Sequence, residues 1–74
     1  MLLRERRMQE ALQFFREKMA AAGAEVYEGE QHESQINLDV VLPLTGDRAR
    51  VHLVWDADRS EARFLYERQY EVRQ

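Results

Sequence analysis

Cysteine is absent from this chain of 74 residues, which excludes disulfides, cysteine-ligated zinc sites and thiol chemistry. The chain also lacks a basic leader followed by an apolar segment, and it has no apolar run near the roughly 20 residues that cross a bilayer. A chain of this size buries only about 60–65% of the surface that its unfolded form exposes. We therefore expect one small domain over residues 1–74, cytoplasmic and not bound to membranes, with a thin core.

Motifs for catalysis, metal binding or nucleotide binding are equally scarce. The nearest pattern is Asp56, Asp58, Ser60 and Glu67, which have the spacing of an EF-hand calcium loop. That loop requires a glycine at its sixth position, where this chain has Glu61. Aspartates that bond their own backbone in a hairpin turn explain the same residues. We predict no catalytic residue, no metal and no cofactor, and hence no enzyme.

His52 is a second candidate for chemistry. It falls on the polar side of a predicted strand, where one register would bring it beside Asp39. A His–Asp pair supports hydrolysis only with a nucleophile in reach, and Ser34 and Ser60 fall in predicted turns away from the middle of that strand. A solvated strand histidine is the better interpretation.

The net charge of −3 is unevenly distributed along the chain. Residues 1–23 carry +2, residues 24–47 carry −6 without any lysine or arginine, and residues 48–74 carry +1. Four glutamates concentrate the negative charge: Glu25, Glu28, Glu30 and Glu33. An acidic segment argues against phosphate binding there, because phosphate requires neutralising cations, and it would attract a basic protein partner.

The first 23 residues have the pattern of an amphipathic helix. Met8, Leu12, Phe15 and Met19 recur at spacings of three and four, which places them on one face. Gly23 follows where a left-handed residue would end the helix. No Ser, Thr, Asp or Asn is present to cap the first turn. The pattern predicts a helix over about residues 3–22 with a weak start.

Two later segments alternate apolar and polar residues with period two, which is typical of half-buried strands. They cover about residues 35–43 and 48–55, and Thr45-Gly46-Asp47 joins them as a turn. The charged segment over about residues 24–30 is either an acidic loop or a strand. As a strand it belongs at a sheet edge, because charge on a short edge strand discourages wrong pairing. A last strand is predicted over about residues 61–70.

A consistent register supports the pairing of the last two strands. If Trp55 faces Ala62, then Leu53 faces Phe64 on the buried side, and Arg50 faces Glu67 as an opposite-charge pair on the other side. The predicted fold is α+β in two layers, in which the N-terminal amphipathic helix packs on one face of a three- to four-stranded antiparallel β-meander.

A second apolar group lies on the helix, away from this core face. At 100° per residue, Leu3 and Phe14 lie close together but about 100° or more from the Met8 side. A small domain gains by burying such residues against a partner. The preferred function is therefore a non-enzymatic protein–protein interaction module, such as an inhibitor, an assembly subunit or a homodimer. Nine residues are candidates for contact: Leu3, Phe14, Glu25, Glu28, Glu30, Glu33, Arg48, Arg50 and Arg63.

The alternative function is nucleic-acid binding through the arginine-bearing face of the sheet, Arg48, Arg50 and Arg63. Affinity that falls steeply with salt would favour this alternative.

Overall fold

The computed structural model describes residues 2–67. One helix precedes a four-stranded antiparallel sheet, and the predicted α+β two-layer fold is confirmed. The elements are α1 (Leu3–Ala21), β1 (Glu25–His32), β2 (Gln35–Val41), β3 (Arg48–Asp56) and β4 (Glu61–Glu67). The predicted end of the last strand, residues 68–70, lies outside the described residues.

The two ends of α1 differ as the sequence predicts. Leu2 occupies the N-cap position and makes no side-chain capping bond. At the other end Gly23 has a φ of +79°, and its N–H donates to the carbonyl of Ala20 while that of Ala24 donates to Met19. These two bonds form a Schellman motif, which satisfies the last carbonyls and turns the chain into β1.

Neighbouring strands in sequence are neighbours in the sheet, in the order β1-β2-β3-β4. The register that places Trp55 opposite Ala62 and Leu53 opposite Phe64 is the observed one. The charged first strand is confirmed as an edge strand. It ends at His32, two residues past the predicted bound, and has a bulge between Glu28 and Gln31.

The core lies between α1 and one face of the two central strands. Leu38 of β2 and Leu53 of β3 are completely buried. Six further apolar residues surround them: Met8, Leu12, Ala24, Ile36, Val40 and Val51. The opposite face of the sheet, which we call the open face, has no element over it within the described residues.

Strand β2 is shorter than the alternation predicts. It ends at Val41, and the side chains of Leu42 and Leu44 are exposed rather than buried. Pro43 has no N–H for the sheet ladder, and the N–H of Gly46, whose φ is +71°, donates to the carbonyl of Leu42 and closes the connection. The predicted strand, which ends at residue 43, therefore extends two residues past the observed end at Val41.

Strand β4 is less buried than its alternating pattern predicts. Phe64 and Tyr66 point to the side of the sheet that carries α1, as the register requires, but they remain 40% and 68% exposed. The cause is width: strands about 4.8 Å apart span roughly 14 Å from β1 to β4, whereas a helix with its side chains is only about 10 Å across. One helix does not cover all four strands.

Replacing Leu53 with Ala should lower the free energy of unfolding by roughly 2–4 kcal/mol, since the change removes buried methyl groups and leaves a cavity. A core this small supplies only about 3–5 kcal/mol in total. The matched control is Leu44→Ala, because Leu44 is 97% exposed, and it should stay within about 0.5 kcal/mol of the parent. Urea denaturation measures both, and equal effects would place Leu53 outside the core.

Candidate interaction surface

Within residues 2–67, the ion pairs between helix α1 and the sheet lie on one side of the helix. Arg16 contacts Glu28 of β1 at 2.9 Å, and Arg4 contacts Glu33 of the β1–β2 turn at 3.0 Å. Such exposed pairs contribute little stability individually, but both lie on the β1 side. Both pairs join one flank of the helix to β1 and the β1–β2 turn, and its opposite flank faces β4.

That opposite flank and β4 border an open groove. Leu3 and Phe14 of α1 line one wall, and Ala62 and Phe64 line the other. Leu3 and Phe14 are 54% and 59% exposed, which agrees with their predicted position off the core face. We call Leu3, Phe14, Phe64 and Tyr66 the apolar strip.

Phe64 is held in place by the core side of the helix. Its ring stacks on Phe15 with a centroid distance of 5.1 Å and an interplanar angle of 25°. This contact fixes one face of the Phe64 ring and leaves the remainder to the groove. Lys18 lies 5.4 Å from the Phe14 ring centroid, in the range of a cation–π contact. Two aromatic rings of the strip are thus positioned by neighbours in the same chain.

The two edges of the sheet differ in their protection. The β1 edge has a bulge and several glutamates, which are features that prevent pairing with another strand. Strand β4 pairs with β3 in an unbroken register, and its middle residues are Phe64, Leu65 and Tyr66. It is therefore the edge of the described sheet that remains suitable for pairing.

The direction of each backbone N–H and C=O group shows which residues of β4 do not bond to β3. The N–H of Trp55 donates to Ser34, on the β2 side of β3. Because N–H and C=O directions alternate along a strand, Val54 and His52 point to β4 and bond their opposite residues, Arg63 and Leu65. The intervening residues Ala62, Phe64 and Tyr66 direct their N–H and C=O groups outward.

The predicted acidic surface is divided by the fold. Glu28 and Glu33 make the ion pairs to α1. Glu25 accepts a hydrogen bond of 2.6 Å from the Tyr27 hydroxyl, and Glu30 lies 3.4 Å from His32. The structure thus commits two of the four glutamates to the helix. Among residues 2–67, Glu25 and Glu30 have no arginine or lysine partner within ion-pair distance.

The open face carries the predicted arginines among carboxylates. Arg50 contacts Asp39 at 3.4 Å, and Arg63 contacts Asp56 at 3.3 Å. Arg48 lines a small hollow with Tyr27. The strand registers place five carboxylates on this face: Glu25, Asp39, Asp56, Glu61 and Glu67. Among the described residues, three arginines lie beside five carboxylates, so this face carries no net positive charge.

His52 joins three strands on the open face. Its Nδ1 lies 2.6 Å from the Asn37 side-chain oxygen, and its Nε2 lies 2.8 Å from a Glu67 carboxylate oxygen. Asp39 instead contacts Arg50, so the possible His–Asp pair does not form. The partners of His52 are an amide and a carboxylate, neither of which is a nucleophile of the kind that a histidine base activates.

The resemblance to a calcium loop is explained by a turn. One Asp56 carboxylate oxygen accepts the backbone N–H groups of Asp58 and Arg59, and the other oxygen accepts from Arg63. This is the backbone-bonded aspartate that the sequence offered as an alternative. Within residues 2–67, no three His, Asp or Glu side chains are grouped closely enough to hold a metal ion.

Comparison of the chain with protein-family models, with curated proteins and with solved structures found no match. In the part of the chain that the structure describes, no helix has the length and apolarity needed to span a membrane.

Sequence reasoning identified the helical half of the apolar strip and missed the half on β4. Leu3 and Phe14 deviate from the core periodicity, which the sequence shows directly. Phe64 follows the buried pattern, so the sequence predicts it on the buried side, and Tyr66 lies two residues further on the same face. The number of predicted elements was the signal for this exposure, because one helix is too narrow to cover four strands.

Tyr27 provides a test of the open-face geometry. The hydrogen bond to Glu25 and the charge of Glu25, with a smaller effect of burial, raise the pKa of Tyr27 above 10.0, although Arg48 opposes the rise. Because folding favours the protonated hydroxyl, this contact stabilises the fold below about pH 10 and is lost as the hydroxyl ionises at higher pH. NMR titration should show a lower midpoint in Glu25→Gln and no change in Glu30→Gln. An unchanged midpoint in Glu25→Gln would contradict the contact.

Proposed function

We propose that this chain is a non-enzymatic protein–protein interaction module that docks through the apolar strip. The observation that carries the proposal is the groove between α1 and β4, where large apolar side chains from two elements stay exposed. They lie beside a strand edge that is unpaired in the part of the chain that the structure describes. Isolated exposed apolar residues are ordinary on protein surfaces. Apolar residues that share a groove indicate a binding surface.

The composition of the groove fits an interface. Phe14 and Phe64 are aromatic, a residue class common among interface hot spots. Arg7, Glu10 and Glu61 surround them, which resembles the polar rim around an apolar interface centre. Burying the strip also adds apolar contact to a domain whose own core contains eight buried apolar residues.

A finer form of the proposal is an inhibitor or assembly subunit with a basic partner. Glu25 and Glu30 support it, because they leave negative charge on the exposed β1 strand. Exposed charges of this kind act mainly on the rate of encounter with an oppositely charged partner. In this form the strip provides affinity and the two glutamates accelerate association.

The alternative of nucleic-acid binding has less support. The three arginines of the open face lie among five carboxylates, and two of them already contact aspartates. A phosphate backbone would have to displace those contacts and approach the remaining negative charge.

Phe14→Glu tests the strip directly. The charged side chain should abolish docking while the far-UV circular dichroism stays unchanged, because Phe14 lies off the core face. Gln9→Glu is the matched control, since Gln9 is also an exposed residue of α1 but lies about 140° away around the helix. Light scattering of the purified chain and recovery of bound protein from cells of its source would report on self-association and on other partners. Equal behaviour of Phe14→Glu and Gln9→Glu would refute the proposal.

Two double variants separate the roles of the glutamates. Glu25→Gln with Glu30→Gln should slow association with a basic partner and weaken its salt dependence, with little effect on dissociation. Glu28→Gln with Glu33→Gln removes the ion pairs to α1 and should lower the free energy of unfolding by up to about 1 kcal/mol per pair. Stopped-flow association and urea denaturation measure these effects. Salt-dependent binding of duplex DNA that strengthens in the first variant would support the nucleic-acid alternative instead.

A further inference from the structure

The outer edge of β4, which is unpaired within the described residues, and the apolar strip are adjacent parts of one surface. Phe64 and Tyr66 belong to the strip, and their outward N–H and C=O groups are also those that β3 does not use. A partner that adds a strand to β4 would therefore bury the strip in the same step. The remaining question is which strand fits this edge.

We propose that the partner is a second copy of this chain, whose β4 pairs antiparallel with β4 of the first copy about a two-fold axis at Leu65. This proposal rests on the proposed function and specifies its partner. It would join the two four-stranded sheets into one continuous sheet with an isologous interface.

Charge complementarity selects the register. With Leu65 opposite its own copy, Arg63 lies opposite Glu67 of the second copy, and the same contact repeats on the other side of the axis. Opposite charges directly across neighbouring strands stabilise their pairing. Both side chains lie on the open face and are about half exposed, at 51% each, so they remain accessible to a second chain.

The neighbouring registers are less favourable. The outward groups of β4 belong to Ala62, Phe64 and Tyr66, so the register can shift only in steps that again pair these residues with one another. Centring the axis on Phe64 places Glu61 opposite Glu67. Centring it on Arg63 places two arginines opposite each other. Like charges directly opposite destabilise a strand pair. Centring the axis on Tyr66 places Leu65 opposite Glu67 and separates Arg63 from Glu67.

The Leu65 register also matches the apolar residues. On the α1 side it places Phe64 opposite Tyr66 of the second copy, an aromatic cross-strand pair of a stabilising type. On the open face Leu65 meets its own copy, in the closer non-hydrogen-bonded type of pair. A two-fold axis perpendicular to the sheet puts both helices on the same side, so that Phe14 of each copy faces the shared groove.

Charge reversal tests the register. Arg63→Glu and Glu67→Arg should each weaken the dimer by roughly tenfold in dissociation constant, because two cross-strand attractions become repulsions. An equimolar mixture of the two variants should dimerise again, since the mixed dimer has opposite charges at both contacts. The chain with both substitutions should also dimerise. Arg59→Glu is the control, because Arg59 lies in the β3–β4 turn. Sedimentation velocity over a concentration series measures all of them.

A backbone variant tests strand pairing without changing charge. Tyr66→Pro removes an outward N–H that β3 does not use, and a sheet tolerates proline at such an edge position. It should produce a monomer with the parent's far-UV spectrum. Arg63 and Glu67 also contact Asp56 and His52 within the chain, so thermal melting of each variant verifies that it remains folded.

The outcomes separate this proposal from the function on which it rests. A parent that stays monomeric at millimolar concentration overturns the dimer, and Phe14-dependent recovery of another protein would then leave the proposed function intact. A dimer that Phe14→Glu dissociates but that charge reversal and Tyr66→Pro leave unchanged overturns the β4 pairing. If the parent chain neither dimerises nor recovers another protein in a Phe14-dependent way, both proposals are overturned.

Discussion

The structure depends on a mismatch of width between one helix and four strands. The two central strands need cover on one face, and α1 provides it for Leu38 and Leu53, which are fully buried. The helix is too narrow to reach both edges as well. One flank of the helix pairs with β1 and the β1–β2 turn through Arg16 and Arg4, and the other flank borders β4 beside the exposed Phe64. The exposed groove along β4 is the consequence.

This arrangement gives the acidic segment a structural role alongside any role in binding. Glu28 and Glu33 carry half the charge of the four-glutamate segment, and both neutralise arginines of α1. Exposed ion pairs of this kind contribute at most about 1 kcal/mol each. Their effect here is local, because they fix one flank of α1 against β1 and the β1–β2 turn. The acidic segment and the apolar strip therefore lie along opposite flanks of α1.

Much of the fold could be predicted from the sequence, because period-two alternation and helical periodicity are local signals. The register of β3 against β4 followed from matching Trp55 with Ala62 and agreed with the observed pairing. Side-chain partners did not follow from register. Arg50 lies opposite Glu67, yet it contacts Asp39, and Glu67 contacts His52. Long side chains choose among several neighbours at similar distances, and this choice depends on positions that a local pattern does not contain.

The candidate surface was only half predictable for a related reason. Phe14 breaks a periodicity, whereas Phe64 obeys one and is exposed because nothing in the described structure covers β4. In an isolated domain that combination is unfavourable, since an open edge with aromatic residues invites pairing with other strands. The bulge and charges of β1 discourage pairing of that edge with another strand, whereas the β4 edge is apolar. That asymmetry is what a specific partner strand on β4 requires, because pairing is discouraged at one edge and available at the other.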